Sequence, residues 1–330
     1  MKKLTKLTVV FFSFIMLQNT LAAQEYYSHA EKYKEEGKEF FDEGKNIEAL
    51  ASFQTSLIYD PYNYYCEIMS AITCRNLDLY ASAIHYFRKG IKTSGYSYQS
   101  YGNLGSIQAE MGYDKESFVN LRQALSENSK YAFANNNMGA LLMRYDKYDE
   151  ALVYLRTAMV SDKDMPDAPH NIGNVYFEND KLDSALYYYE KALEINPGFL
   201  KSAVAKIIVM KNMDKPQSEY KELCEKLIKS CSKALKNNPD NYEIRKLRAD
   251  LYSLLEKESN LKKDLNIKLQ KLDKFVELYP GAYTFLENRG NTHRDLGNKT
   301  QAIADYRKVL EINPEFGYVR KKLEKLLENE

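Results

Sequence analysis

The chain has 330 residues, 28 % of them charged and 44 % in the hydrophobic set, with 14 Gly and 8 Pro, a globular composition rather than a collagenous or disordered one. Its 47 Lys and Arg against 46 Asp and Glu lack the excess positive charge that a phosphate backbone demands, so no nucleic-acid partner is expected. One long apolar run and four His without an HExxH pattern exclude a multi-span membrane protein and a zinc hydrolase of that type. In chain order, Lys2, Lys3 and Lys6 come first, then the apolar residues 7–17, then Thr20, Leu21 and Ala22. This is the pattern of a secretory signal peptide over 1–23, with cleavage after Ala22 or Ala23. The apolar run is short of the ~20 residues that span a bilayer, and an uncleaved N-terminal anchor is the alternative reading.

Export would place Cys66, Cys74, Cys224 and Cys231 in an oxidising compartment. The members of each close pair stand eight and seven residues apart on what reads as one helix, which separates their Cα atoms by ~10–12 Å, beyond the ~7 Å a disulfide tolerates. Buried, inert thiols are expected instead.

Self-similarity dominates the rest of the chain. Gly105, Gly139 and Gly173 recur every 34 residues, and the same step backwards reaches Ala71 and Gly37. The period also links the small residues Ala49, Ala83, Ser117, Ala151 and Ala185, and then Ser56, Gly90, Ala124, Ala158 and Ala192. Between these two rows stand bulky residues, Phe53, Phe87, Leu121, Leu155 and Tyr189, four after one and three before the other, which is helical spacing. Five units tile 30–63, 64–97, 98–131, 132–165 and 166–199. The unit 200–241 is eight residues over length, near Met213 to Gln217, and 242–282 is seven over, near Glu256 to Leu261. Regularity returns in 283–316 with Gly290, Gly297, Ala302, Tyr306 and Pro314. Residues 317–330 read as an amphipathic capping helix with Val319, Leu323 and Leu326 inward.

A unit with Gly at position 8, Ala at 20 and 27, an aromatic at 24 and Pro at 32 resembles the tetratricopeptide repeat (TPR). The segment from Asp167 to Pro197 reads almost as that family's consensus. The resemblance implies an all-α, right-handed α-solenoid of about eight helix pairs plus the C-terminal cap. Five regular repeats would occupy 24–199, two degenerate ones 200–282, and one regular repeat 283–316.

In the family the first helices of the units line a concave groove that takes extended or helical peptides. Position 6 of the unit reads Asn103, Asn137, Asn171 and Asn288, and position 9 adds Asn174 and Asn291. A carboxamide both donates and accepts, so such a row can pair with a peptide backbone; the same side chains can also bond neighbouring helices. Phe133, Met143, His170 and Phe177 supply apolar or amphipathic surface beside them, and Arg144 a partner for an acid. The family's clamp for C-terminal carboxylates is not met, since Lys34 and Lys38 are followed by Met69 where Asn is required. The expected protein is an exported, non-enzymatic scaffold without cofactor or metal, periplasmic or secreted, holding a protein or peptide in its groove. The alternatives are a structural subunit of a cell-envelope assembly, or a glycan or peptidoglycan binder using tyrosines such as Tyr65 and Tyr101.

Overall fold

The structure is a computed structural model that describes residues 24–94, 97–239 and 241–328; the signal-peptide reading falls on 1–23, outside them. All regular structure among these residues is helical. Helix α1 covers 24–42 and pairs with α2 (Asn46–Tyr59). There follow α3 (Tyr64–Asn76), α4 (Tyr80–Ser94), α5 (Tyr98–Met111), α6 (Asp114–Glu127), α7 (Ala132–Met143), α8 (Tyr148–Ser161), α9 (Asp167–Glu178) and α10 (Leu182–Ile195). The longer units supply α11 (Leu200–Asn212), α12 (Lys221–Asn237), α13 (Tyr242–Leu254) and α14 (Glu258–Leu278), and the chain ends with α15 (Tyr283–Asp295), α16 (Lys299–Ile312) and α17 (Gly317–Leu327). It is an all-α solenoid of helix pairs, divided into two compact units, one up to Ile107 and one from Gln108 onwards.

In four of the units the pair is closed by contact of a Gly at position 8 with the side chain at position 24. A Cβ added at Gly37 would stand 2.7 Å from the Phe53 ring, at Gly139 2.5 Å from Leu155, at Gly173 2.6 Å from Tyr189 and at Gly290 2.8 Å from Tyr306. The two helices therefore meet at a distance that only a missing side chain allows. The partners Phe53, Leu155, Tyr189 and Tyr306 are fully buried, as are the small residues Ala49, Ala151, Ala185 and Ala302 beside them.

A second rule lies at position 15, the turn between the helices of a pair. Its backbone is left-handed in every unit: Gly44 (φ 75°), Asp78 (61°), Gly112 (84°), Asp146 (56°), Asp180 (55°), Asp214 (55°), Glu256 (57°) and Gly297 (80°). Gly and Asp tolerate this region better than other residues. The series sets the register of the two degenerate units. In 200–241 much of the extra length makes a 3-10 turn at Gln217–Glu219 before α12, and Cys224 and Cys231 then take the small positions 20 and 27, both fully buried. All four cysteines are free and buried, as their spacing requires. In 242–282 the turn keeps its ordinary length and the excess instead lengthens the second helix, α14, to 21 residues against 14 in α10 or α16.

The second unit closes on itself. Tyr283, at the start of α15, packs on Gly112, where an added Cβ would meet its ring at 2.5 Å. Phe316 stacks between Tyr145 and Tyr283, with centroids 5.5 and 4.5 Å away. Val319, Leu323 and Leu326 of α17 pack onto the cluster around Leu286, Tyr306 and Phe316, as an amphipathic cap should. The opposite edge of α17 departs from the expected solvated face, because Tyr318 and Lys322 are held by Glu287 and turned towards α7 and α9.

Glu256 is the least suited residue of the position 15 series, with a β-carbon and no short polar group to bond its own backbone. Glu256→Gly should raise the unfolding free energy in urea by ~0.5–1 kcal/mol, with no change in helix content.

Candidate functional site

The seam that closes the second unit is built around one buried carboxylate. Asp114, whose side chain is 3 % exposed, pairs with Arg144 at 2.9 Å. Its other oxygen accepts the hydroxyls of Tyr283 at 2.7 Å and Tyr145 at 2.9 Å. Arg144 Nη1 also donates to the Ala109 carbonyl at 2.7 Å and to the Tyr283 hydroxyl at 3.0 Å. Burial pushes the Tyr283 and Tyr145 hydroxyls above the ordinary tyrosine range, so both remain donors. Thr284 Oγ1 donates to the Glu110 carbonyl at 2.5 Å and Asn313 Nδ2 to the Tyr145 hydroxyl at 3.3 Å. Arg144, expected to await an acid from outside, is thus engaged by an acid of its own chain, through residues far away in sequence that periodicity could not connect.

The asparagines divide by position. At position 9 the carboxamide oxygen accepts a core tyrosine: Tyr189 donates to Asn174 and Tyr306 to Asn291, each at 2.8 Å. At position 6, Asn171 Nδ2 donates to Asn136 Oδ1 at 2.9 Å, while Asn137 and Asn103 donate to backbone carbonyls one turn earlier, at 2.8 and 2.9 Å. Asn288 is half-buried on α15, and Phe133 is half-buried on α7 beside Tyr131. Phe177 packs against the cluster of Ala185, Tyr189 and Val209. His170 shares a hydrogen bond with Ser202 Oγ at 2.9 Å and lies against the rings of Tyr189 and Phe199.

Of the eleven expected groove residues the structure brings four, Met143, Arg144, Asn171 and Asn174, to one cavity of about 760 Å³ in the second unit. Ala140 of α7, Asp146 of the turn that follows it, Tyr148 of α8 and Glu178 of α9 complete one wall, and Tyr318, Lys321 and Lys322 of α17 form the other. This size suits a short segment of chain rather than a long helix.

The tetratricopeptide-repeat family model matches residues 170–199 and 285–316, the two units that combine Asn at position 9 with Tyr at 24. The chain carries tetratricopeptide repeats. Solved structures sharing this TPR fold include a thermophilic TPR protein of Thermus thermophilus, 22 % identical, covering 55 % of this chain and 98 % of that one, with a TM-score of 0.50. PilW, a type IV pilus biogenesis factor, is 18 % identical over 66 % of this chain and 97 % of its own, with a TM-score of 0.52. Human IFIT1, as a dimer with PPP-AAAA, is 18 % identical over 81 % and 68 %, with a TM-score of 0.55. At such identities the likeness is one of fold. No curated protein matches the sequence.

Several residues outside the expected TPR groove set shape the site. Asp114 and Tyr283 hold its frame, and Lys321 and Lys322 line it. In unit seven Lys268 occupies position 27, which holds Ser, Gly, Ala, Cys or Val in the other units; it is 3 % exposed, and burial pushes its ammonium down to about 8 and the nearby Asp250 carboxyl up to about 6. Nothing in the period marks a lysine as buried.

Two outcomes follow for the TPR array. Asp114→Ala strands Arg144 and both tyrosine hydroxyls, and should cost ~3 kcal/mol in urea unfolding. Burial pushes His170 down to about 3, so its ring stays neutral in the fold. Below ~6.5 the unfolded chain binds a proton that the folded chain refuses, and stability falls as the pH drops from there towards 3. Wild type should lose ~1–2 kcal/mol more than His170→Gln between pH 7 and pH 5, read from paired denaturation curves.

Proposed function

We propose that this protein is an exported, non-enzymatic scaffold that holds a protein or peptide partner against the first helices of its second compact unit. The observation that carries the reading is the cavity between α7, α9 and α17. It gathers amide groups at Asn171 and Asn174 with apolar surface at Met143, Tyr148 and Tyr318, the mixture by which a few anchors and backbone pairing hold a peptide. Export rests on the Lys-rich start and apolar run of 1–23, and free, buried cysteines suit an oxidising compartment, where exposed thiols would be liabilities. Among the described residues no helix is long and apolar enough to cross a membrane.

A second reading, a structural subunit of an envelope assembly, is favoured by one surface. Val119, Val153 and Tyr187 stand at the same position of three successive second helices and are 67 %, 64 % and 53 % exposed, an apolar ridge away from the cavity.

Photoreactive groups placed singly at Asn137, Asn171 and Val153 separate these readings in the native envelope. A partner captured from Asn171 and not from Val153 is the expected result. Capture from Val153 alone, of stoichiometric subunits, would replace the scaffold by the assembly component.

A further inference from the structure

We infer that the ridge of Val119, Val153 and Tyr187 docks a second copy of this chain, with α6, α8 and α10 each lying antiparallel on its own counterpart. This surface is away from the cavity, and its occupant does not depend on what the cavity holds.

A step of 34 residues carries one surface pattern across three successive second helices. Val119, Val153 and Tyr187 form its centre, and Val160, exposed two turns further along α8, extends it. Four and three residues before the ridge stand Lys115 and Glu116 on α6, Asp149 and Glu150 on α8, and Asp183 and Ser184 on α10. Three and four residues after it stand Arg122 and Gln123, Arg156 and Thr157, and Glu190 and Lys191. Two of these charges are met inside the chain, Glu150 by Lys147 at 3.6 Å and Glu190 by Lys206 at 2.7 Å. The flank nearer the helix N-termini then carries Glu116, Asp149 and Asp183 against Lys115, and the flank nearer the C-termini carries Arg122, Arg156 and Lys191 against Glu194. The helix dipole favours this distribution on each helix, and three parallel helices align it into two rows of opposite sign. The cations are held beside the ridge. Lys191 Nζ rests 4.9 Å from the centre of the Tyr187 ring, and Arg156 Nη2 donates to the Tyr176 hydroxyl at 3.4 Å.

An interface between identical copies related by a twofold axis must be complementary to itself. Half a turn about the line of the ridge reverses the helices of one copy, keeps α8 over α8, and sets the acidic flank over the basic one. Glu116 then faces Arg122 of the second copy, Asp149 faces Arg156, and Asp183 faces Lys191, while valines and tyrosines meet between them. Half a turn about an axis along the helices would instead lay acid on acid and base on base, and parallel dipoles together, so the charge pattern selects the first arrangement. With 47 basic and 46 acidic residues, no net charge keeps the copies apart. The apolar centre is small, which makes the dimer an exchanging one rather than an obligate one.

Sedimentation equilibrium of the chain lacking 1–23, over ~1–300 μM, should show a monomer–dimer equilibrium that tightens at low salt. Val153→Asp, Arg156→Glu and Asp149→Lys should each weaken it about tenfold or more with the helical circular dichroism spectrum kept. A mixture of Arg156→Glu with Asp149→Lys should recover most of that loss, because in the mixed pair every acid on α8 again faces a base. A chain monomeric throughout that range, a dimer indifferent to Val153→Asp, or a mixture no tighter than either variant alone overturns the inference. Crosslinks from Val153 in the native envelope that reach other proteins and never a second copy also overturn it, and give the ridge to an assembly. Capture of a partner from Asn171 is independent of all these outcomes, so the scaffold reading and this one fail separately.

Discussion

A single carboxylate carries the architecture of the second compact unit. Asp114 is withdrawn from water and accepts Arg144, Tyr145 and Tyr283, which come from two parts of the chain well apart in sequence. A buried charge without such partners costs several kcal/mol, so the groups that satisfy it must be held in place together. That requirement fixes the start of α15 against the turn at Gly112 and the end of α7, and everything C-terminal to it follows. Phe316 fills the space between the two tyrosines, and α17 is delivered onto the face of α7 and α9. The cavity is a consequence of that one closure.

Within the pairs a different and more local economy operates. Absence of a side chain at position 8 admits the side chain at 24, and where that side chain is Tyr its hydroxyl needs a partner inside the pair. Asn174 and Asn291 meet that need. The first four units, with Phe or Leu at 24, have Lys38, Ile72, Ser106 and Ala140 at position 9, where no phenol has to be satisfied. The position 9 asparagines thus have a structural duty, and what they offer a ligand is their remaining amide hydrogens. The final two units add a bidentate pair across the same two helices, Arg248 with Asp264 and Arg289 with Asp305, at 2.6–2.9 Å. Its recurrence shows that the lengthened α14 keeps the ordinary register at its start and runs on only at its end.

What was legible in the sequence was whatever repeats. The helix pairs, their tiling, the small and bulky positions, the unpaired cysteines and the apolar face of α17 all follow from spacing, because a helix has a fixed period and packing between adjacent helices imposes a fixed set of sizes. The groove residues were legible by position and only partly by role. Asn171 and Asn174 reach the cavity, whereas His170 and Phe177 are spent on packing between neighbouring units, a distinction that depends on which side chain the next helix presents.

The tertiary structure alone decided where the array meets itself. Asp114, Arg144 and Tyr283 are unremarkable in the repeat, and none departs from what an ordinary unit tolerates at its position. Ring closure sums small rotations over many units, so its outcome is set by accumulated geometry rather than by any local pattern. For the same reason the sequence determined that this protein would be a TPR solenoid with an apolar final helix, and only the fold decided that the basic edge of that helix would stand over the first helices of units four and five.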